Sequence, residues 1–224
     1  MLIGLCAPST AVKNHEVLFR GRHQRRYSLS RRANIKVRSL FALYYKWNIK
    51  IWKNFSCKNF LKKTGIPYMS VDAIMMGFTN GIPEYGIHDK LWPNEIAEKM
   101  WPFLLAMCES MLWTKVDFVL EGEAFLPGLA RKMMNEHTDQ IKVAFMGYAD
   151  ASAEQKVRAV TAFSSGVGDW LVNEPDDYIK SHITNMIGYS KMIKEECSKH
   201  NVPYFDTSTE FEGTILSLLK SFDV

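Results

Sequence analysis

Val116-Asp117-Phe118-Val119-Leu120-Glu121-Gly122 is an apolar run that stops abruptly at an acid and a glycine. A short apolar run bounded by turn residues is the pattern of a buried strand. An acid at the carboxyl end of such a strand is where phosphoryl-transfer proteins hold their metal. A solvated acid at a turn is the plainer alternative for Glu121. Glu123 lies one step further out and is the less well placed of the two.

Similar runs recur on both sides. Met1 to Cys6, Ile66-Pro67-Tyr68-Met69-Ser70-Val71-Asp72, Ile141 to Met146 and Val202-Pro203-Tyr204-Phe205-Asp206 each predict a strand. Helices are predicted between and after them. Pro93 to Trp113 carries Ile96, Met100, Phe103, Leu104, Met107 and Met111 on one stripe, and Ser152, followed by Glu154 and Gln155, opens a helix through Phe163. Asp176 to His200 and Glu210 to Phe222 are the last two. Near-continuous apolar strands separated by helices predict an α/β fold with a three-layer, five-stranded parallel sheet covered on both faces. The 224 residues are read as a single domain over 1–224.

Composition narrows the class. The chain is 47% hydrophobic and 23% charged, which excludes collagen, coiled coil and wholesale disorder. It has no run of about 18 uninterrupted apolar residues, so no membrane-spanning helix is expected. Met1-Leu2-Ile3-Gly4-Leu5-Cys6 has neither a basic leader nor a small-residue cleavage site, which predicts no signal peptide. Cys6, Cys57, Cys108 and Cys197 lie far apart, so a reducing, cytoplasmic setting is the default.

The net charge of +4 conceals two compositions. Lys13 to Lys63 holds 15 Lys and Arg against one acid, Glu16, and the rest of the chain carries a net −10. The block contains Arg20-Gly21-Arg22, Arg25-Arg26, Arg31-Arg32 and Ser39-Leu40-Phe41-Ala42-Leu43-Tyr44-Tyr45-Lys46-Trp47. A basic block is usually solvated. Interleaved with aromatics, it is also the pattern that neutralises phosphates and stacks on bases, so nucleic acid or an anionic surface is the alternative partner.

Ligands of such sheets bind beyond the carboxyl ends of the strands. After the first expected strand comes Ala7-Pro8-Ser9-Thr10-Ala11-Val12-Lys13-Asn14. A phosphate-cradling loop has Gly, four residues, Gly, Lys, then Ser or Thr. The frame and Lys13 survive here, while Ala7 and Val12 replace the glycines and Asn14 the hydroxyl. Ser70-Val71-Asp72 is either a helix N-cap or a contact to a substrate hydroxyl or metal-bound water. Lys156 and Arg158 precede Ser164-Ser165-Gly166-Val167-Gly168-Asp169, a Gly-rich stretch of the kind found in lids. The lid is expected over 152–185. Asp206 is followed by Thr207-Ser208 and could cap the last helix. His88, His137, His182 and His200 show no metal-ligand spacing.

Taken together, these strand ends resemble the P-loop small-molecule kinases of the adenylate-kinase-like group, closest to bacterial 2-phosphoglycerate-kinase-type proteins and related ATPases. The likeness rests on Gly65 to Asp72, Phe118 to Gly122, Gly147-Tyr148-Ala149-Asp150-Ala151 before Lys156 and Arg158, and Val202 to Ser208. It covers Met1 to about Asn14 and about Phe55 to Leu219. The resemblance implies a nucleotide-kinase-like P-loop fold with a helical lid, ATP and magnesium as cofactors, and phosphoryl transfer to a small metabolite. Lys13 would then be the phosphate lysine and Ala7 to Asn14 the nucleotide loop, with Asn14 and Glu121 at the metal. Glu121, Lys13 and Arg158 would be catalytic. Asp72, Glu123 and Lys156 would lie on the substrate side, and Thr207 and Ser208 beside the adenine.

Positions 7, 12 and 14 depart from the family's loop, and a branched Cβ at Val12 crowds the phosphate approach. Impaired catalysis is therefore expected. Lys13 and Gly65 lie 52 positions apart, whereas Lys53 and Gly65 lie 12 apart, and Lys53-Asn54 repeats Lys13-Asn14. This spacing predicts that residues 15–54 are an inserted, largely irregular basic segment, of the composition of translated non-coding sequence.

Overall fold

The computed structural model describes residues 39–44, 58–163, 171 and 174–222, all within the compact unit Ile35–Val224. Among the described residues lie five strands and seven α-helices, the strands being β1 Ser39–Tyr44, β2 Tyr68–Ser70, β3 Val119–Gly122, β4 Ile141–Gly147 and β5 Tyr204–Asp206. Parallel ladders join them in the order β2-β3-β1-β4-β5. Seven helices accompany them: α1 Lys58–Thr64, α2 Val71–Gly81, α3 Pro93–Trp113, α4 Pro127–Glu136, α5 Ala153–Phe163, α6 Asp176–Lys199 and α7 Phe211–Ser221.

The centre of the sheet holds a strand that the sequence analysis did not pick out. Met1–Cys6, expected as the first strand, lies outside the described residues. The strand between β3 and β4 is Ser39–Tyr44, inside the 15–54 block that was expected to be irregular. A strand flanked on both edges favours an uninterrupted apolar and aromatic run, and Ser39-Leu-Phe-Ala-Leu-Tyr44 is one. Its six residues are simply outnumbered by the bases around them.

Period-two alternation separates two cores. Along β4, Ile141, Val143 and Phe145 join one cluster while Ala144 and Met146 join the other. On β3, Leu120 faces the first cluster and Val119 the second. The first core is closed by α2, α3, α4 and α6 through Met75, Leu104, Ala130 and Ile183. The second is closed by α1 and α7 through Phe60, Ile215, Leu218 and Leu219. The layers expected from the strand pattern are thus present on both faces.

Helix ends follow local chemistry. Pro93 opens α3 at a position whose N–H needs no partner, and the Trp92 N–H donates to Glu95 Oε2 at 2.8 Å. Asp176 and Asp177 lie in the first turn of α6 and Lys199 in its last, each sign matching the helix dipole. That helix stops where Asn201 adopts a φ of 52° and the Val202 N–H returns to the Cys197 carbonyl at 2.8 Å.

Burial pushes the thiols of Cys108 and Cys197 up to about 12, reinforced by Glu109 and Glu196 respectively. Both stay protonated at neutral pH.

Gly147 marks the tip of β4. A Cβ there would fall on Ser190 Oγ and the Tyr204 hydroxyl, which lie 2.9 Å from one another. Gly147→Ala is expected to destabilise the protein by roughly 1–3 kcal/mol by overpacking. Gly77→Ala and Gly188→Ala, within helices and with open space around the added methyl, should stabilise by roughly 0.5–1 kcal/mol. Urea unfolding midpoints check the contrast, and three shifts of one sign would contradict it.

Candidate functional site

In a parallel sheet all carboxyl ends share one edge, so the tips of β2 through β5 can be followed in order. At the β3 tip, Glu121 is 1% exposed and pairs in register with Ser70 of β2 on one side and Ala42 of β1 on the other. A carboxylate taken so far from water needs cations or hydrogen-bond donors around it. Gly122 follows with a φ of 152°. Its missing Cβ admits the start of α2: an added atom would stand 2.9 Å from Val71 Cβ and 3.1 Å from Asp72 Oδ1. The β3 tip therefore carries the first turn of α2 directly against it, and with it Asp72.

A cavity of about 510 Å³ opens beside this contact. Asp72 and Val71 of α2 and Glu123 and Ala124 beyond β3 form one side of it. Asp89, Lys90 and Trp92, in the loop before α3, form another, and Tyr178, His182 and Asn185 of α6 a third. Tyr178 stacks on His182 with ring centroids 6.1 Å apart and planes 12° off parallel. Behind the cavity the Tyr189 phenol is pushed above its ordinary range, first by burial and then by the charge of Glu123.

A second polar group lies at the tips of β4 and β5. Thr207 donates its N–H and its hydroxyl to the Gly147 carbonyl, at 2.7 and 2.9 Å. Ser208 Oγ accepts the Asp150 N–H at 3.0 Å, and the Ser208 N–H donates to Asp206 Oδ1 at 2.9 Å. Lys194 of α6 bridges Asp150 at 2.5 Å and Asp206 at 3.4 Å. The hydrogen bond to Asp150 heads the causes that raise its pKa. The Lys156 ammonium sits 4.6 Å above the centroid of the Tyr148 ring. Burial lowers its pKa, opposed in part by Asp206.

The expected site residues thus divide. Asp72 and Glu123 meet at one cavity, next to the buried Glu121. Lys156, Thr207 and Ser208 gather at the β4 and β5 tips and do not line that cavity. The hydroxyl groups of Thr207 and Ser208 are engaged in fastening one strand tip to the other. Arg158 lies exposed on α5. Lys13 and the rest of Ala7, Pro8, Ser9, Thr10, Ala11, Val12 and Asn14 lie outside the described residues, as does most of the basic block. The lid expectation over 152–185 falls partly outside them; its described parts are α5 and the start of α6.

The sequence analysis did not single out Asp89, Lys90, Tyr178 or Asn185, and it considered His182 only for metal-ligand spacing. A signal existed: positions 178, 182 and 185 are spaced as one face of a helix, and all three are polar or polar-aromatic.

Magnesium and ATP fit this site unequally. A hard cation that keeps its waters is commonly held by one or two carboxylates, and Glu121 with Ser70 beside it suits that role. No group of three or more His, Cys, Asp or Glu suited to a metal occurs among the described residues. A triphosphate cradle needs inward-turned backbone N–H groups, which glycines permit. Residues 45–57, which follow the central strand, contain no glycine. Neither that stretch nor Ala7 to Asn14 carries the glycines such a cradle uses.

No family model matches this chain, and no curated protein matches it. Among solved structures, a gluconokinase from Sinorhizobium meliloti aligns with 83% of this chain and 91% of its own, at 13% identity and a TM-score of 0.49. A shikimate kinase from Bacteroides thetaiotaomicron aligns with 83% and 98%, at 15% identity and a TM-score of 0.45. An uncharacterised protein from Eubacterium ventriosum aligns with 84% and 98%, at 14% identity and a TM-score of 0.37.

The two lysines at the β4 and β5 tips are expected to behave oppositely. Lys194 has a raised pKa, so its contribution is complete below the ordinary lysine value of 10.5 and is lost as pH rises through the folded value. Lys194→Met should cost up to about 1 kcal/mol at pH 7, the range for solvent-screened pairs. Lys156 has a lowered pKa, so wild-type stability should climb as pH rises toward 10.5. Lys156→Met should abolish that climb and, by removing the desolvated charge, raise stability at pH 7. Urea titrations at pH 7 and 9.5 distinguish the pair.

Proposed function

We propose that this chain is a small-molecule kinase-like protein that binds a hydroxylated metabolite in the cavity beside Glu121, with ATP-dependent phosphotransferase activity that is weak or absent. The observation behind this reading is the convergence of three carboxylates at adjacent strand tips. Asp72 and Glu123 line the cavity, and Glu121 is buried directly next to them.

Their environments suit different work. Asp72 is half-buried at the cavity wall, where a carboxylate can accept a hydrogen bond from a metabolite hydroxyl and take its proton. Glu123, under the same cavity and beside Tyr189, orients a second hydroxyl. Glu121 is withdrawn from solvent and would hold the waters of a magnesium ion, whose chemistry is to neutralise phosphate charge. Asp89 to Trp92 and the Tyr178–His182 stack flank the mouth of the cavity.

Phosphoryl transfer asks little covalent chemistry of a protein and much electrostatic positioning. The metabolite side of that arrangement is built here. The donor side depends on Lys13 and its loop, whose glycines are replaced, and on a glycine-free stretch after the central strand. Binding of metabolite without efficient turnover is the consequence. Association with nucleic acid through the basic block finds no support among the described residues.

A thermal-shift screen of sugars, polyols, hydroxy acids and nucleosides should yield a saturable rise in Tm. In Asp72→Asn the affinity of that compound should fall about tenfold or more, the cost of one charge-assisted hydrogen bond. Calorimetry with MgATP should give a Kd no tighter than roughly 1 mM, a binding free energy of about −4 kcal/mol. A screen with no hit, or a hit indifferent to Asp72→Asn, defeats the metabolite assignment. Micromolar MgATP binding abolished by Lys13→Ala defeats the impairment.

A further inference from the structure

We propose that the cavity selects a metabolite carrying a cationic amine alongside its hydroxyls, in preference to a carboxylated or phosphorylated one. This rests on the reading above that the cavity is the metabolite site.

The charge of the lining carries the inference. Asp72, Asp89 and Glu123 bring three carboxylates to one hollow from three separate segments, against the single ammonium of Lys90. Anionic groups are recognised by forked guanidinium donors, and no arginine stands among the described residues of the cavity wall. An acid entering there loses its hydration shell and gains a net repulsion. An amine meets the opposite field.

Aromatic placement agrees with that sign. Trp92 and Tyr178 line the cavity while remaining 54% and 47% exposed, with one face of the Tyr178 ring already against His182. The negative face of an indole or phenol ring attracts an ammonium and offers nothing to a carboxylate. Met75, Ile96 and Met186 supply the remaining wall, suited to the C–H face of a ring or short chain.

Calorimetry without ATP on two charge series tests this: glucosamine, glucose and gluconate; and 3-amino-1,2-propanediol, glycerol and glycerate. In each series that binds, the amine should bind roughly tenfold tighter than the neutral compound and the acid at least tenfold weaker than the amine. One charge contact across a partly screened cavity gives effects of about this size. Asp89→Asn should remove most of the amine preference, bringing the amine-to-neutral affinity ratio toward one. Lys90→Gln should enlarge it, a gain that a damaged fold cannot imitate. An acid that binds as tightly as its amine, or no binding in both series, overturns the proposal. A screen whose hits are all acids sensitive to Asp72→Asn would sink the amine preference and leave the metabolite-kinase reading standing.

Discussion

The absence of one methyl group organises the site. Gly122 ends β3 in a backbone conformation that side chains rarely adopt, and the first turn of α2 occupies the space where its Cβ would project. Without that contact Val71 and Asp72 retreat from the β3 tip. The cavity wall they share with Glu123 then loses its alignment. A glycine here is dictated by packing and backbone together. The acids on either side of it differ in burial: Glu121 is 1% exposed, while Glu123 is half-buried and lines the cavity.

Along the same edge, the β4 and β5 tips are held by a different device. Thr207 satisfies the Gly147 carbonyl twice, Ser208 holds Asp150, and Lys194 ties Asp150 to Asp206 from α6. This assembly fixes α6 against the sheet. Because α6 also supplies Tyr178, His182 and Asn185 at its other end, one rigid helix links the two halves of the edge. Lys156, desolvated over Tyr148, is the costly member of this group, since burial disfavours its charge.

Much of the scaffold was legible because local signals and tertiary demands coincide. Pro93 and the Met100–Leu104–Met107 stripe announce α3, which runs from Pro93 to Trp113 as its pattern predicts. The alternation of β4 and the abrupt end of β3 are equally direct. α4 was missed: Pro127 at its start is a helix signal, but ten residues with few large apolar side chains give a weak period. β1 was obscured by charge, since a six-residue apolar run inside a block of 15 bases reads as part of the block. Of the site, Asp72, Glu121 and Glu123 were readable as strand-end acids. The α6 contribution was not, because residues 56 or more positions beyond Gly122 reach the cavity only through the fold.

The claim on which the functional reading turns is that the β2 and β3 tips form the metal-side edge of a metabolite cavity. Paramagnetic broadening of backbone amides by Mn²⁺, used in place of Mg²⁺, tests it most directly. Saturable broadening centred on Ser70, Val71 and Gly122, abolished by Glu121→Gln, is the expected result. Broadening centred on α7, or unchanged by Glu121→Gln, would contradict it.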